Sequence, residues 1–384
     1  MKPIVSIILP TYNESENLPI AAERISQSLS DFKHEIIVVD DDSPDHTWQV
    51  AENLKRRIPQ LKVVRRLSGK GLSSAVLTGM GIAEGDLFVV MDSDLQHDEQ
   101  ILPEMIRSLN DRGNDLCLGT RYTKGGSTGK WSLVRVLVSR FGNTLARWIL
   151  RQDVSDPMSG YFGIKKDLYS EVKNNINPRG FKILLEFLAR GSKDLKVEEI
   201  PYTFRTRIHG ETKLDNSVLR NFLVALLDIR YGKWISPTFL LYALVGATGI
   251  IVNLGGFLVG EFLGFPDLNT GISYAGTISG SVLLGIELSV LSNFLFNNYF
   301  TFYERRFQSW NAAKGFLIFH SVSLFSLVLQ LGCYQFLTKV VFSNDSHSLS
   351  ISVKLLCDFL SIGASLISNY FLNSNLTWTK ATRK

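Results

Sequence analysis

The hydrophobic pattern changes character once along the chain. From residue 4 to about 125, short apolar runs alternate with longer stretches in which apolar residues recur at helical spacing. Short runs bounded by turn residues predict buried strands, and the longer spacing predicts amphipathic helices. Strands are expected at Ile4–Leu9, Glu35–Val39, Lys62–Val64, Leu87–Met91 and Leu116–Leu118. Helices are expected near Glu16–Leu29, Thr47–Arg57, Leu72–Ala83 and Gln100–Asp111. This alternation predicts a doubly wound, Rossmann-like α/β sheet in a first domain covering residues 1–215.

Beyond Pro237 the chain becomes strongly apolar, with four long stretches at Thr238–Leu263, Ile272–Phe296, Gly315–Phe342 and Ile351–Leu372. Each reaches the ~20 residues a helix needs to cross the hydrocarbon core. An all-α, four-helix transmembrane domain is therefore expected over 237–384, joined to the first by an interfacial helix or linker at 216–236. Arg230 and Lys233 precede the first span; Arg305, Arg306 and Lys314 lie between the second and third; Lys380, Arg383 and Lys384 close the chain. The links near Pro266-Asp267 and Asn344–His347 carry no Lys or Arg, although Lys339 and Lys354 at span edges soften the asymmetry. The positive-inside rule then predicts an integral membrane protein with both termini and the first domain in the cytoplasm. The chain starts directly with a strand pattern, which fits the same expectation of no cleaved leader.

The two membrane hairpins repeat. Asn293-Phe-Leu-Phe-Asn297-Asn-Tyr-Phe-Thr301-Phe302 matches Asn369-Tyr-Phe-Leu-Asn373-Ser-Asn-Leu-Thr377-Trp378, each pair standing 76 residues apart. Each copy ends a span with Asn at i and i+4 on one helix face, followed by an aromatic suited to the membrane interface. Glu287 inside the second span is costly in lipid and is expected to face a partner helix. The pattern resembles the GtrA-like four-helix membrane domain found attached to polyprenyl-phosphate glycosyltransferases.

Charge and cysteine content narrow the function little. The net +5 is modest and no basic run suggests nucleic acid. Cys117, Cys333 and Cys357 are far apart, without metal or redox spacing, and read as inert filling. No Gly-x-Gly-x-x-Gly or Walker loop follows the first strand, which disfavours dinucleotide binding and ATP hydrolysis.

The chemistry is concentrated at the predicted strand ends. Asp92-Ser93-Asp94 ends the run Leu87–Met91, at the sheet edge where open α/β sheets bind ligands. Two carboxylates, with Gln96 adding a neutral oxygen, suit a divalent cation that completes its shell with diphosphate oxygens. The first two strands end in Pro10-Thr11-Tyr12-Asn13-Glu14 and Val39-Asp40-Asp41 and aim at the same edge. Asp41 there can accept hydrogen bonds from a nucleoside. His97 is read as a supporting or surface histidine rather than a ligand.

These segments, followed by Gly119-Thr-Arg121-Tyr122, Gly125-Gly126, Trp131-Ser132-x-x-Arg135-x-x-x-Ser139-Arg140, Asp156-x-x-Ser159-Gly160 and Arg207-x-x-Gly210-x-Thr212-Lys213, resemble the family-two GT-A glycosyltransferases. Within that group they look like the dolichol-phosphate (polyprenol-phosphate) mannose synthases, and the resemblance covers most of residues 4–215. Ser93 stands where many relatives have Ala, and Thr212 where Ser is usual. The resemblance implies a donor site of Pro10, Tyr12, Glu14, Val39, Asp41, Asp92, Ser93, Asp94, Gln96, Lys182, Arg207 and Lys213. It implies Mg²⁺ or Mn²⁺ on Asp94, Gln96 and Asp92, with Asp92, Asp94, Arg207 and Lys213 as the catalytic set. Arg121 and Arg135 are candidates for the acceptor phosphate, because a guanidinium fork matches phosphate oxygens.

The expected reaction is inverting transfer of mannose from GDP-mannose to dolichyl or another polyprenyl phosphate at the lipid bilayer. A phosphate monoester is largely ionised at neutral pH, so this nucleophile needs no strong general base. UDP-glucose is the alternative donor, and a non-catalytic membrane scaffold or lipid-carrier flippase is the alternative of another class. A processive polysaccharide synthase is disfavoured, since Thr144 stands where a Gln-x-x-Arg-Trp motif would need Gln. Lys130–Arg151 and Ser217–Trp234 are candidate interfacial helices, rich in Arg, Trp and Leu; packing into the core is the competing expectation for both.

Overall fold

The apolar runs near the N-terminus build the centre of a seven-stranded sheet, seen in a computed structural model. It describes residues 4–150, 152–177, 182–206, 216–232, 234–269, 277–342 and 351–379. The strands are β1 (Val5–Thr11), β2 (His34–Asp40), β3 (Leu61–Arg65), β4 (Leu87–Val90), β5 (Leu116–Thr120), β6 (Phe162–Lys165) and β7 (Val197–Pro201). Their order is β3-β2-β1-β4-β6-β5-β7. Neighbours run parallel except at β6, which is antiparallel to both β4 and β5. The sheet is therefore mixed, and β6 and β7 add to the five strands expected from sequence. β6 escaped because its four residues include Gly163, a weak strand signal. A Cβ at Gly163 would come within 3.0 Å of Cys117 Sγ and 3.1 Å of Leu109 Cδ1, so any side chain there would have to push these neighbours aside by a few tenths of an ångström.

Strand alternation sorts the core into two layers. Val5, Ile7 and Leu9 of β1 pack with residues of α1 (Asn17–Ser28), α2 (Thr47–Leu54) and α4 (Leu102–Asn110). Ile8 joins the other layer with residues of α3 (Leu72–Ile82), α5 (Leu133–Ile149), α6 (Lys166–Val172), α7 (Ile183–Arg190) and α8 (Asn216–Tyr231). Each such Leu, Ile or Val contributes about 1.5–3 kcal/mol on burial. A one-residue slip would exchange the layers, so this burial fixes the register and hence the level of the strand tips.

The chain divides into two units, residues 1–230 and 231–384. The stretch at 216–236, expected to link the domains, is thus mostly α8, whose Phe222 and Leu226 sit in the first unit's core. The second unit holds α9 (Pro237–Leu263), α10 (Gly280–Phe296), α11 (Asn311–Phe336) and α12 (Ile351–Leu372). All four predicted spans are present. The second starts at Gly280 rather than Ile272, because Thr277–Ile278 pairs antiparallel with Leu268–Asn269. α9 and α10 approach closely through small residues. A Cβ on Gly256 would lie 2.8 Å from Gly285 Cα, and one on Gly260 would lie 2.7 Å from Ser281 Cα.

The repeated motif forms a lock inside this unit. α10 and α12 each run on into a π-helical turn, Asn297–Thr301 and Asn373–Thr377. Asn298 accepts from the Phe307 backbone (2.8 Å) and from Trp378 Nε1 (3.1 Å), and donates to the Phe307 carbonyl (3.1 Å). Asn373 donates to Tyr242 Oη (2.9 Å) and Asn369 Oδ1, and accepts from Thr377. Trp378 is fully buried and stacks on Phe302 with ring centroids 4.4 Å apart. This corrects the expectation that the aromatic after each repeat faces the membrane interface: Phe302 and Trp378 are both buried against each other, and the Trp378 N–H is bonded to Asn298. Glu287 meets its expected partner helix, with both carboxylate oxygens 3.1 Å from His320 Nε2 on α11.

Candidate active site

β1 lies between β2 and β4, all parallel, so the three predicted tips stand side by side on one sheet edge. The turns leaving them are sharp. Asn13, Asp42 and Leu95 adopt φ of 60°, 56° and 64°. Asn and Asp tolerate the left-handed region, whereas Leu does not. Leu95 is held there by burial of its side chain. Backbone strain of this kind persists where surrounding structure over-determines it, and it clusters at functional sites.

At the β2 tip the two neighbouring aspartates do different work. Asp40 is fully buried and accepts from Thr11 Oγ1 (2.9 Å), Ser43 N (2.9 Å) and Ser43 Oγ (2.6 Å), pinning the β1 and β2 ends together. Asp41 accepts from Arg66, through Nε at 2.7 Å and also through Nη2, and from the Gly71 backbone N–H at 2.6 Å. The loop from Arg66 to Gly71 therefore closes over the residue expected to read the nucleoside, and the sequence pattern gave no sign of it. Pro10 and Val39 are buried beneath, while Tyr12 stands exposed above the edge. Glu14 accepts from Asn17 Nδ2 at 2.6 Å.

The acidic motif at the β4 tip divides similarly. Asp94 is buried and its Oδ1 accepts from the Gln96 backbone N–H at 3.1 Å, whereas the Asp92 side chain is 37% exposed. The Ser93 hydroxyl is buried with no hydrogen-bond partner among the described residues. Gln96 is clasped by one residue: its Nε2 donates to the Arg205 carbonyl (3.1 Å), and its own carbonyl accepts from Arg205 N (2.9 Å). The Arg205 guanidinium in turn binds Asp98 and Glu99. With Nε2 so engaged, the Gln96 amide oxygen is the end left for a cation.

Behind the motif, Asp156 is fully buried and takes Arg121 in a two-pronged pair at 2.7 and 2.9 Å. That pair uses two of the five guanidinium donors. Arg121 and Arg135, paired in expectation, do come together: their guanidinium carbons lie 5.0 and 4.0 Å from the Trp131 ring centre. Tyr122 Oη donates to Ser139 Oγ (2.8 Å) beside them, on α5. Lys182 precedes α7. Burial, then the Arg121 charge, lower its pKa to about 8, with Asp156 and Asp92 opposing. Arg207 and Lys213, with the rest of their motif, lie outside the described residues. His97 is wholly enclosed, and burial pushes its pKa down to about 4. Burial likewise pushes the Cys117 thiol up to about 12, as expected of an inert filler.

Among the described residues no three His, Cys, Asp or Glu side chains gather into a closed metal cage. The hard oxygens that the β4 tip offers are instead those of Asp92, Asp94 and the Gln96 amide. Such a set fits Mg²⁺ or Mn²⁺, which keep few protein ligands and share phosphate oxygens of the substrate.

Comparison with known proteins places both units. Residues 6–173 match the model of glycosyl transferase family 2, and residues 241–378 match that of the GtrA/DPMS transmembrane domain. A dolichol-phosphate mannosyltransferase of Pyrococcus furiosus is 36% identical over 97% of this chain and 99% of its own length. Proteins of the same name from Mycosarcoma maydis (37%) and Saccharomyces cerevisiae (35%) align with 59% and 62% of this chain, covering 79% and 91% of their own. The four helices are each long and apolar enough to cross a membrane. The chain is thus an integral membrane glycosyltransferase that belongs to the dolichol-phosphate mannosyltransferase family, with a GT-A catalytic unit and a GtrA-type transmembrane unit.

Proposed function

We propose that this chain transfers mannose from GDP-mannose to dolichyl or another polyprenyl phosphate, with a divalent cation, at the cytoplasmic membrane face. The observation that carries this is the meeting of three strand tips, with Tyr12, Glu14 and Asp41 beside Asp92, Asp94 and Gln96 on one edge. Nucleoside and diphosphate would thus be held by adjacent tips. Bound Mg²⁺ or Mn²⁺ would neutralise charge building on the departing diphosphate, a Lewis-acid role. Lys182, lysine-charged below about pH 8, adds a cation to the donor side. Arg207 and Lys213 are assigned to phosphates near the reaction centre by the family motif.

The acceptor side is supported by Arg121 and Arg135 about Trp131. A phosphate oxygen of the acceptor attacks the anomeric carbon, and the sugar–diphosphate bond breaks with its electron pair leaving on the nucleotide. The nucleophile is already anionic, so no residue need remove a proton. α5 supports a membrane-bound acceptor. Leu133, Val134, Leu137, Val138, Phe141 and Trp148 are all exposed, while Gly142, Asn143 and Ala146 face the core. The basic spacing Arg135, Arg140 and Arg147 on the same helix suits an anionic headgroup layer.

The product tests the mechanism. Mannosyl phospholipid made by the purified full chain and read by NMR is expected to show inverted anomeric configuration. Retention would overturn the single displacement, and absence of transfer from every sugar nucleotide would favour a scaffold.

A further inference from the structure

The β4 tip contains a buried histidine that reaches the acidic motif directly. His97 Nδ1 accepts the Asp92 backbone N–H at 3.1 Å, and its Nε2 lies 3.9 Å from Asp92 Oδ2. Because Nδ1 is the acceptor, the ring proton belongs on Nε2, the nitrogen that faces the carboxylate. The ring cannot drift: it stacks on Tyr161 (centroids 4.9 Å, 15°) and meets Tyr202 and Phe204 edge-on at 5.8 and 5.9 Å. Tyr161 is anchored in turn by donating its hydroxyl to the Asp98 carbonyl at 2.9 Å. Gly160 completes the seat, since a Cβ there would stand 3.1 Å from Asp92 Oδ2 and 3.6 Å from His97 Cε1.

We propose that His97 is a positioning residue: as the Nε2–H tautomer, wedged in the Tyr161–Tyr202–Phe204 cage, it fixes the backbone and carboxylate of Asp92 for a divalent cation. The proposal rests on the cation site described above. Groups held behind a metal ligand typically govern affinity by 10–100-fold, because they set the ligand's orientation before binding. Of the two contacts, the 3.1 Å bond to the backbone is the closer and carries most of the effect.

Titration of Mn²⁺ alone into the detergent-solubilised full chain, followed by electron paramagnetic resonance, separates the claims. His97→Phe fills the aromatic cage but removes the acceptor, and is expected to weaken Mn²⁺ binding by roughly 10–100-fold while the apo chain still unfolds cooperatively, its Tm lowered by the loss of one part-buried hydrogen bond. His97→Asn returns an oxygen near the Nδ1 position and should recover most of the affinity. Gly160→Ala, which leaves the histidine in place but crowds Asp92, should weaken binding independently. Asp94→Ala is the control for the site itself. If Asp94→Ala loses Mn²⁺ while His97→Phe binds like wild type, the positioning role is wrong. If Asp94→Ala also binds like wild type, the cation site is wrong. Failure of His97→Asn to improve on His97→Phe overturns the backbone bond as the cause.

Discussion

Asp40, Asp156 and His97 in the catalytic unit and Asn298, Asn373 and Thr377 in the membrane unit are all buried polar residues. Their partners differ in kind. In the catalytic unit each supports a neighbour at a strand tip: Asp40 ties β1 to β2, Asp156 holds Arg121, and His97 holds Asp92. In the membrane unit the partners close on one another, Asn298 with Phe307 and Trp378, Asn373 with Tyr242, Asn369 and Thr377. Of these, the His97 bond ends on Asp92, whose side chain is 37% exposed at the strand-tip edge, whereas the membrane-unit bonds named here end on residues inside that unit.

The contrast breaks most sharply at Asp94. Asp94→Ala is expected to reduce cation-dependent transfer by on the order of 10³-fold or more, about 4 kcal/mol in the barrier. Membrane insertion and thermal unfolding of the second unit should not change; equal loss of both would erase the distinction between the strand-tip site and the polar bonds inside the membrane unit. The converse substitution is Trp378→Ala, which empties a stacked, fully buried site and should destabilise the membrane unit by roughly 3 kcal/mol or more. Differential scanning in detergent reads it, and Mn²⁺ affinity of the catalytic unit should stay unchanged.

A smaller effect is expected on α5. Leu137→Ser with Phe141→Ser should raise the KM for a long-chain polyprenyl phosphate by about tenfold, near 1.4 kcal/mol, with little change in donor KM. If donor KM rises instead, the exposed face belongs to the sugar-nucleotide side. The smallest is a purely structural polar group. Glu35 is buried at the other end of β2, and burial opposes its charge. Lys62 (2.8 Å), the Ser6 hydroxyl and the Glu84 backbone N–H (2.7 Å) outweigh that and hold its pKa below 4.5. With the folded pKa below the unfolded one, its contribution is present above about pH 4.5 and is lost as pH falls through the folded value. Glu35→Gln should flatten that acid limb of the unfolding curve without altering cation affinity.

Much of this was legible in the chain because local patterns and function coincide. The strand ends, the Asp92–Gln96 spacing and the four spans are contiguous in sequence, so their geometry follows from period and position. What escaped depends on contacts between distant segments. Arg66 reaches back to Asp41, Asp156 reaches back to Arg121, and Arg205 clasps Gln96 across more than a hundred residues. None of these pairings has a spacing that a sequence announces. Trp378 departs from its sequence pattern for a related reason: a tryptophan at a span end usually sits at the interface, and its fit against Phe302 and Asn298 turns it inward.

The central claim is that the strand-tip site makes a mannosyl phospholipid from GDP-mannose. The direct measurement supplies the full chain in bilayer nanodiscs with polyprenyl phosphate, Mg²⁺ or Mn²⁺, and labelled GDP-mannose or UDP-glucose in parallel, then counts label in the lipid extract. The account predicts lipid-linked mannose from GDP-mannose, dependent on the cation and absent in Asp94→Ala. Label transferred from UDP-glucose alone, or transfer that survives Asp94→Ala undiminished, would contradict it.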